Sequence, residues 1–216
     1  MVKISNWSDD FWLLLLQAYL QKPVGVKPVY SRVMVELGME LHIHPLKLHS
    51  MMEAIASQET PMLKRLWHNY DGNQRRLNRA VKVLREMKGF NSGDSFYDGV
   101  DVKETFEKDF RPVSARTGFT PAMLILVLRL YFLLTPLTME KTTSEVVELA
   151  RLIRQKPEDV VKVLRLYQYC DPYLNRQDAP PKDLLYDACQ EIWHRFAAES
   201  PDKLETAASE LSDYFS

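Results

Sequence analysis

With 216 residues, 46% hydrophobic side chains and a mean hydropathy of −0.28, the chain has the composition of a globular protein of one large or two small domains, able to bury a core without cross-links. Two cysteines, Cys170 and Cys189, without C-x-x-C spacing exclude a disulfide framework and point to a reducing cytoplasm, and seven glycines leave few phosphate-cradling loops. The net charge of −1 hides an uneven distribution: Lys and Arg stand against Asp and Glu at 13 to 8 over residues 1–88, 4 to 6 over 89–120 and 11 to 15 over 121–216, or +5, −2 and −4.

The N-terminal stretch carries Lys3, then Asp9 and Asp10 before the short apolar run Phe11 to Leu16, without the charge order or length of a secretory signal. Apolar residues then recur with a period near 3.6 and predict helices at 9–21, 29–42, 45–57, 61–70, 74–88, 103–109, 121–134, 143–155, 157–169, 183–197 and 201–215. Prolines mark several starts (Pro45, Pro61, Pro121, Pro157, Pro201), because the first helical position has no use for the N–H that proline lacks. Thr60, Thr120 and Ser200 stand before three of them as N-caps, Thr142 with Glu145 reads as a capping box, and Gly89 as a stop after Lys88. No segment alternates with period two, so the expected fold class is all-α.

The segment from Pro121 to Leu134 is apolar on nearly every side, with Arg129 its only charge, and such a helix must be buried. It is too short to span a bilayer, which takes about 20 residues. Ser8 to Leu20 resembles it. A constant offset of 112 places 11–57 on 123–169 without a gap: Leu14, Leu16 and Tyr19 meet Leu126, Leu128 and Tyr131, Val35-Glu36-Leu37 meets Val147-Glu148-Leu149, and Pro45 meets Pro157. After a longer loop, 170–182, Leu66-Trp67-His68 meets Ile192-Trp193-His194, and Leu77 and Leu84 meet Leu204 and Leu211. The expected architecture is a helical bundle of two similar multi-helix repeats: 1–88, a connector 89–120 whose aromatic residues pack on the repeats, and 121–216, together one compact unit.

His42, His44 and His49 flank one helix junction and are the candidate metal ligands, although imidazoles alone need further partners and the simpler reading is an exposed polar junction. The repeated Trp-His pairs read as packed tryptophans with histidine tips. Asp94, Asp98, Gly99 and Asp101 resemble part of a calcium loop, but a register starting at Asp94 puts Phe96 at its third position and Thr105 at its twelfth. The pairs of helices around Pro45 and Pro157 have helix-turn-helix-like spacing, though neither second helix is rich in Arg, Asn or Gln, and Glu158-Asp159 open one of them. Arg75, Arg76, Arg79, Lys82 and Arg85 gather on one helix opposite Leu77, Val81 and Leu84, whereas the matching later helix presents Asp202, Glu205, Glu210 and Asp213.

The phrases LHIHPLKLHSMM (41–52), FYDGVDVKETFEKDFRP (96–112) and YCDPYLNR (169–176) resemble a family of bacterial, Bacteroidetes-type proteins with no assigned activity. The resemblance implies a bacterial cytoplasmic protein and carries over no functional residue. The expected function is a non-enzymatic protein-interaction or regulatory module without cofactor, catalytic residue or membrane partner. It would meet a protein partner, or itself as a weak homo-oligomer, through the basic helix. Nucleic-acid binding through the helix-turn-helix-like units and that helix is the alternative, and a small-molecule enzyme the third reading.

Overall fold

The computed structural model describes residues 7–87, 90, 106–114, 117–174, 176, 178–197 and 201–216. The described residues are all-helical, with no strand among them. The chain divides into two compact units, Met1–Lys103 and Glu104–Ser216.

The first unit contains α1 (Phe11–Leu20), α2 (Arg32–Leu41), α3 (Pro45–Ser57), α4 (Pro61–Tyr70) and α5 (Gln74–Glu86). Helix α1 buries Trp12, Leu14, Leu15, Leu16 and Ala18 and packs against α2, α3 and α5, while α4 leans on α5. Leu77, Val81 and Leu84 are buried on α5, at the spacing of one helical stripe. Phe90 adds a ring against Phe11 at 6.4 Å.

The second unit contains α6 (Glu107–Phe110), α7 (Pro121–Leu133), α8 (Ser144–Leu152), α9 (Pro157–Cys170), α10 (Leu184–Phe196) and α11 (Pro201–Phe215), with short 3-10 turns at Pro136–Thr138 and Pro172–Leu174. Helix α7 runs through its middle and touches α6, α8, α9, α10 and α11. All of Leu124 to Leu128 are buried, as are Leu130 and Tyr131. Arg129 escapes by donating from Nε and Nη2 to both carboxylate oxygens of Glu205, at 2.6 and 2.7 Å. The all-round apolar pattern requires burial of the whole helix, yet Phe132 and Leu133 emerge into solvent at its last turn.

The proline-led starts follow local chemistry. Thr60 Oγ1 accepts from Leu63 N at 3.2 Å and Thr120 Oγ1 from Met123 N at 3.3 Å, each satisfying a first-turn N–H that has no partner inside the helix. Ser200 and Gly89 lie outside the described residues. The capping box expected at Thr142 and Glu145 is not formed. Thr143 is the residue before α8, its hydroxyl donates to Thr138 O at 2.7 Å, and Glu145 accepts from Ser144 Oγ. A capping box forms instead between Thr135 and Thr138. Helix α8 also ends at Leu152 rather than near 155, because Arg154 turns into the left-handed region with φ 56°.

Among the described residues of the segment 89–120, Phe90 packs on the core of the first unit, and Phe110 and Phe119 are buried in the second. Of its aromatic residues, Phe96 and Tyr97 lie outside the described residues, and Phe110 packs on Tyr214 with ring centroids 4.8 Å apart. Lys108 reaches Glu191 at 2.9 Å and Arg195 Nη1 donates to both oxygens of Asp109, which ties α6 to α10.

Several geometric features of the two units coincide. His42 and Arg154, 112 positions apart, both adopt left-handed φ, at 53° and 56°. The next residue of each closes the same turn, Ile43 N to Gly38 O at 3.0 Å and Gln155 N to Ala150 O at 2.9 Å. Tyr19 meets Trp67 edge-on at 5.4 Å as Tyr131 meets Trp193 at 5.8 Å. Gln17 bonds across to Asn78 on α5, where Arg129 bonds to Glu205 on α11.

A side chain in the left-handed region costs about 1–2 kcal/mol relative to the helical basin, partly offset by the unfolded-state entropy of glycine. Arg154→Gly is therefore expected to raise stability by up to about 1 kcal/mol, and Thr120→Ala to lower it by about 1 kcal/mol through loss of the cap. Urea unfolding of the two variants would show midpoints moving in opposite directions.

Candidate functional site

The three histidines at the α2–α3 junction take on different local tasks. His42 sits at the left-handed C-cap of α2. His44 is the N-cap of α3, its Nδ1 accepting from Leu46 N at 3.1 Å, and its ring meets Tyr30 edge-on. His49 faces Glu53 one turn on, with 3.8 Å between Nδ1 and Oε1. No group of three or more His, Cys, Asp or Glu side chains suited to a metal ion occurs among the described residues. The calcium-like Asp94, Asp98, Gly99 and Asp101 fall outside them.

The cysteines are held as thiols. Cys189 is fully buried and Cys170 half-buried; burial pushes the Cys170 thiol up to about 11 and the Cys189 thiol well above the ordinary range. A thiol so raised is a poor nucleophile at neutral pH. His68 and His194 are exposed, each following a half-buried tryptophan.

Helix α5 presents its basic residues outward, but they are not equivalent. Arg85 donates from Nε and Nη2 to Glu40 at 2.6 and 2.7 Å, Lys82 faces Glu86 at 3.8 Å, and the Arg76 guanidinium lies 5.5 Å from the Tyr70 ring centroid. Arg75 and Arg79, one turn apart, are exposed and face no carboxylate among the described residues. In the second unit Asp202 and Glu210 border an open groove of about 590 Å³ between α10 and α11, with Arg195 and Lys203 beside them.

The helix-turn-helix-like pairs α2–α3 and α8–α9 have short turns, as their spacing predicts. The exposed residues of α3 include Leu46, Lys47, Ser50 and Glu53, and Glu158 is exposed in the first turn of α9. Neither surface offers the Arg, Asn or Gln set that reads base edges.

A second site, not singled out by the sequence, opens at the end of α7. Phe132, Asp171, Tyr173, Trp193 and His194 border a cleft of about 310 Å³. Asp171 Oδ2 accepts from Tyr131 OH at 2.7 Å, and Oδ1 accepts from Tyr173 N at 2.9 Å. Burial, then the bond to Asp171, raises the Tyr131 hydroxyl far above its usual range, so it stays a donor. Behind it, the fully buried Tyr167 donates to Leu124 O at 2.9 Å. The sequence signal for this cleft was the extra loop after Cys170, where Asp171-Pro172-Tyr173 stops α9 and turns the chain.

Comparison with protein-family models, curated proteins and solved structures finds no match for this chain.

His44 supplies a pH test of the α2–α3 junction. Burial lowers its pKa below the ordinary 6.5, and its cap requires an unprotonated Nδ1. The cap's contribution is therefore present above pH 6.5 and lost as pH falls through the depressed value. In an NMR titration the Leu46 amide should report loss of the bond in step with His44 protonation, and His44→Asn should remove that pH dependence.

Proposed function

We propose that the chain is a non-enzymatic protein-binding module of a bacterial cytoplasm that meets an acidic partner through α5. The observation that carries this reading is the pair of exposed guanidinium groups, Arg75 and Arg79, with no carboxylate facing them among the described residues. The +5 balance of residues 1–88 supports it, since a field of one sign steers encounter with a partner of the other. The compartment rests on the two reduced cysteines and on the resemblance to Bacteroidetes-type proteins. No helix among the described residues is long and apolar enough to cross a membrane.

Individual exposed ion pairs contribute only about 0–1 kcal/mol each, so binding by charge alone is weak and sensitive to salt. A labelled polyglutamate peptide is expected to bind at about 0.1 M salt and to lose affinity toward about 1 M, where screening is nearly complete. Arg75→Glu combined with Arg79→Glu should abolish that binding. Tighter binding of duplex DNA than of the peptide would favour the nucleic-acid reading, and an unchanged double variant would remove α5 from the interface. Salt-dependent dimerisation in sedimentation runs would identify a second copy as the acidic partner.

The two units are proposed to be copies of one five-helix ancestor that diverged in surface charge. The shared offset of 112, the paired left-handed caps at His42 and Arg154, and the Tyr19–Trp67 and Tyr131–Trp193 contacts support that descent. Crystallographic superposition is expected to place backbone 11–57 on 123–169 with Tyr19 and Tyr131 in equivalent places. Different helix angles in the two segments would reduce the correspondence to coincidence.

A further inference from the structure

We infer that the cleft at the end of α7 is a recognition site for an arginine side chain carried by a partner protein, a second contact beyond the basic face of α5. Its walls are aromatic. The rings of Phe132 and Trp193 lie 5.5 Å apart with planes 35° from parallel, and Trp193 is backed by Tyr131 at 5.8 Å and Tyr167 at 6.3 Å. That backing fixes the indole, while Phe132 is 52% exposed and Tyr173 94% exposed. Aromatic side chains are enriched at protein interfaces relative to the rest of the surface.

The polar element of the cleft decides the occupant. Asp171 is fixed by two bonds, one to each oxygen, from Tyr131 OH and Tyr173 N. A carboxylate oxygen carries two lone pairs, so one acceptor position on each oxygen remains for a ligand. Two acceptors on one rigid carboxylate beside exposed ring faces match a guanidinium, which is planar, presents paired N–H donors and stacks on aromatic rings. A lysine ammonium offers the charge without the plane. The nearby Arg176 is engaged elsewhere: its guanidinium lies 4.4 Å from the Tyr169 ring centroid and donates to Gln168 Oε1 at 2.9 Å. The first unit has Leu20 at the position matching Phe132, and so lacks that ring.

The test uses the full chain and the indole N–H resonance of Trp193. N-acetyl-arginine amide is titrated against N-acetyl-citrulline amide, which keeps the shape and removes the charge, and against the lysine and leucine amides. Arginine is expected to shift the Trp193 signal at concentrations about fivefold lower than citrulline, the ratio given by one cation–ring contact at an exposed site. Phe132→Ala, a change at an exposed ring that leaves the core intact, should weaken arginine binding by a similar factor, as should Asp171→Asn. The proposal is overturned if citrulline or lysine matches arginine, if leucine binds best, if Phe132→Ala has no effect, or if arginine leaves the Trp193 resonance unmoved.

Discussion

A helix that is apolar around its whole circumference cannot rest at a surface, because any face turned to water forfeits the burial that holds it. Both α1 and α7 are of this kind, and each unit is arranged to enclose one of them. Helices α2, α3 and α5 cover α1; α6, α8, α9, α10 and α11 cover α7. The polar exits along these helices are few. Gln17 and Arg129 leave the core by reaching Asn78 and Glu205 on a covering helix, so each polar group gains a partner where it meets solvent. The enclosure of α7 gives out at Phe132 and Leu133, and the cleft begins there.

Packing constrains only one side of each covering helix. A buried stripe of Leu77, Val81 and Leu84 on α5, and of Leu204, Ala208 and Leu211 on α11, constrains only part of each circumference. The remaining positions hold Arg75 on one helix and Asp202 on the other, with little consequence for packing, because exposed charges contribute about 0–1 kcal/mol. The charge on these faces can therefore change while the core stays the same.

Side chains that invite a chemical role by type are occupied by structure. His44 closes the start of α3, His49 lies beside Glu53, and the thiols of Cys170 and Cys189 are raised by burial. Exposed to solvent are the two guanidinium groups of Arg75 and Arg79 on α5, and a ring-lined cleft whose carboxylate is held in place by Tyr131.

The helix content and the proline-led starts were legible in the sequence because they depend on local chemistry: a missing N–H at the first position and a threonine hydroxyl three residues from an orphan donor. Periodicity likewise showed that α1 and α7 had to be central, since an all-round apolar pattern has one physical solution. The left-handed stops at His42 and Arg154 were not legible, because neither is the glycine that normally marks such a turn. Helix α8 starts after Thr143 rather than Thr142, and Thr143 is held by the Thr138 carbonyl, a contact made only when the preceding 3-10 turn is in place. Composition showed that the basic residues share a helix; which of them face a carboxylate depended on where Glu40 and Tyr70 lie. The loop after Cys170 is visible in the sequence, but the cleft it borders depends on tertiary structure. Phe132, Asp171 and Trp193 come from the end of α7, the stop of α9 and the last turn of α10, and no spacing along the chain brings them together until those three helices pack.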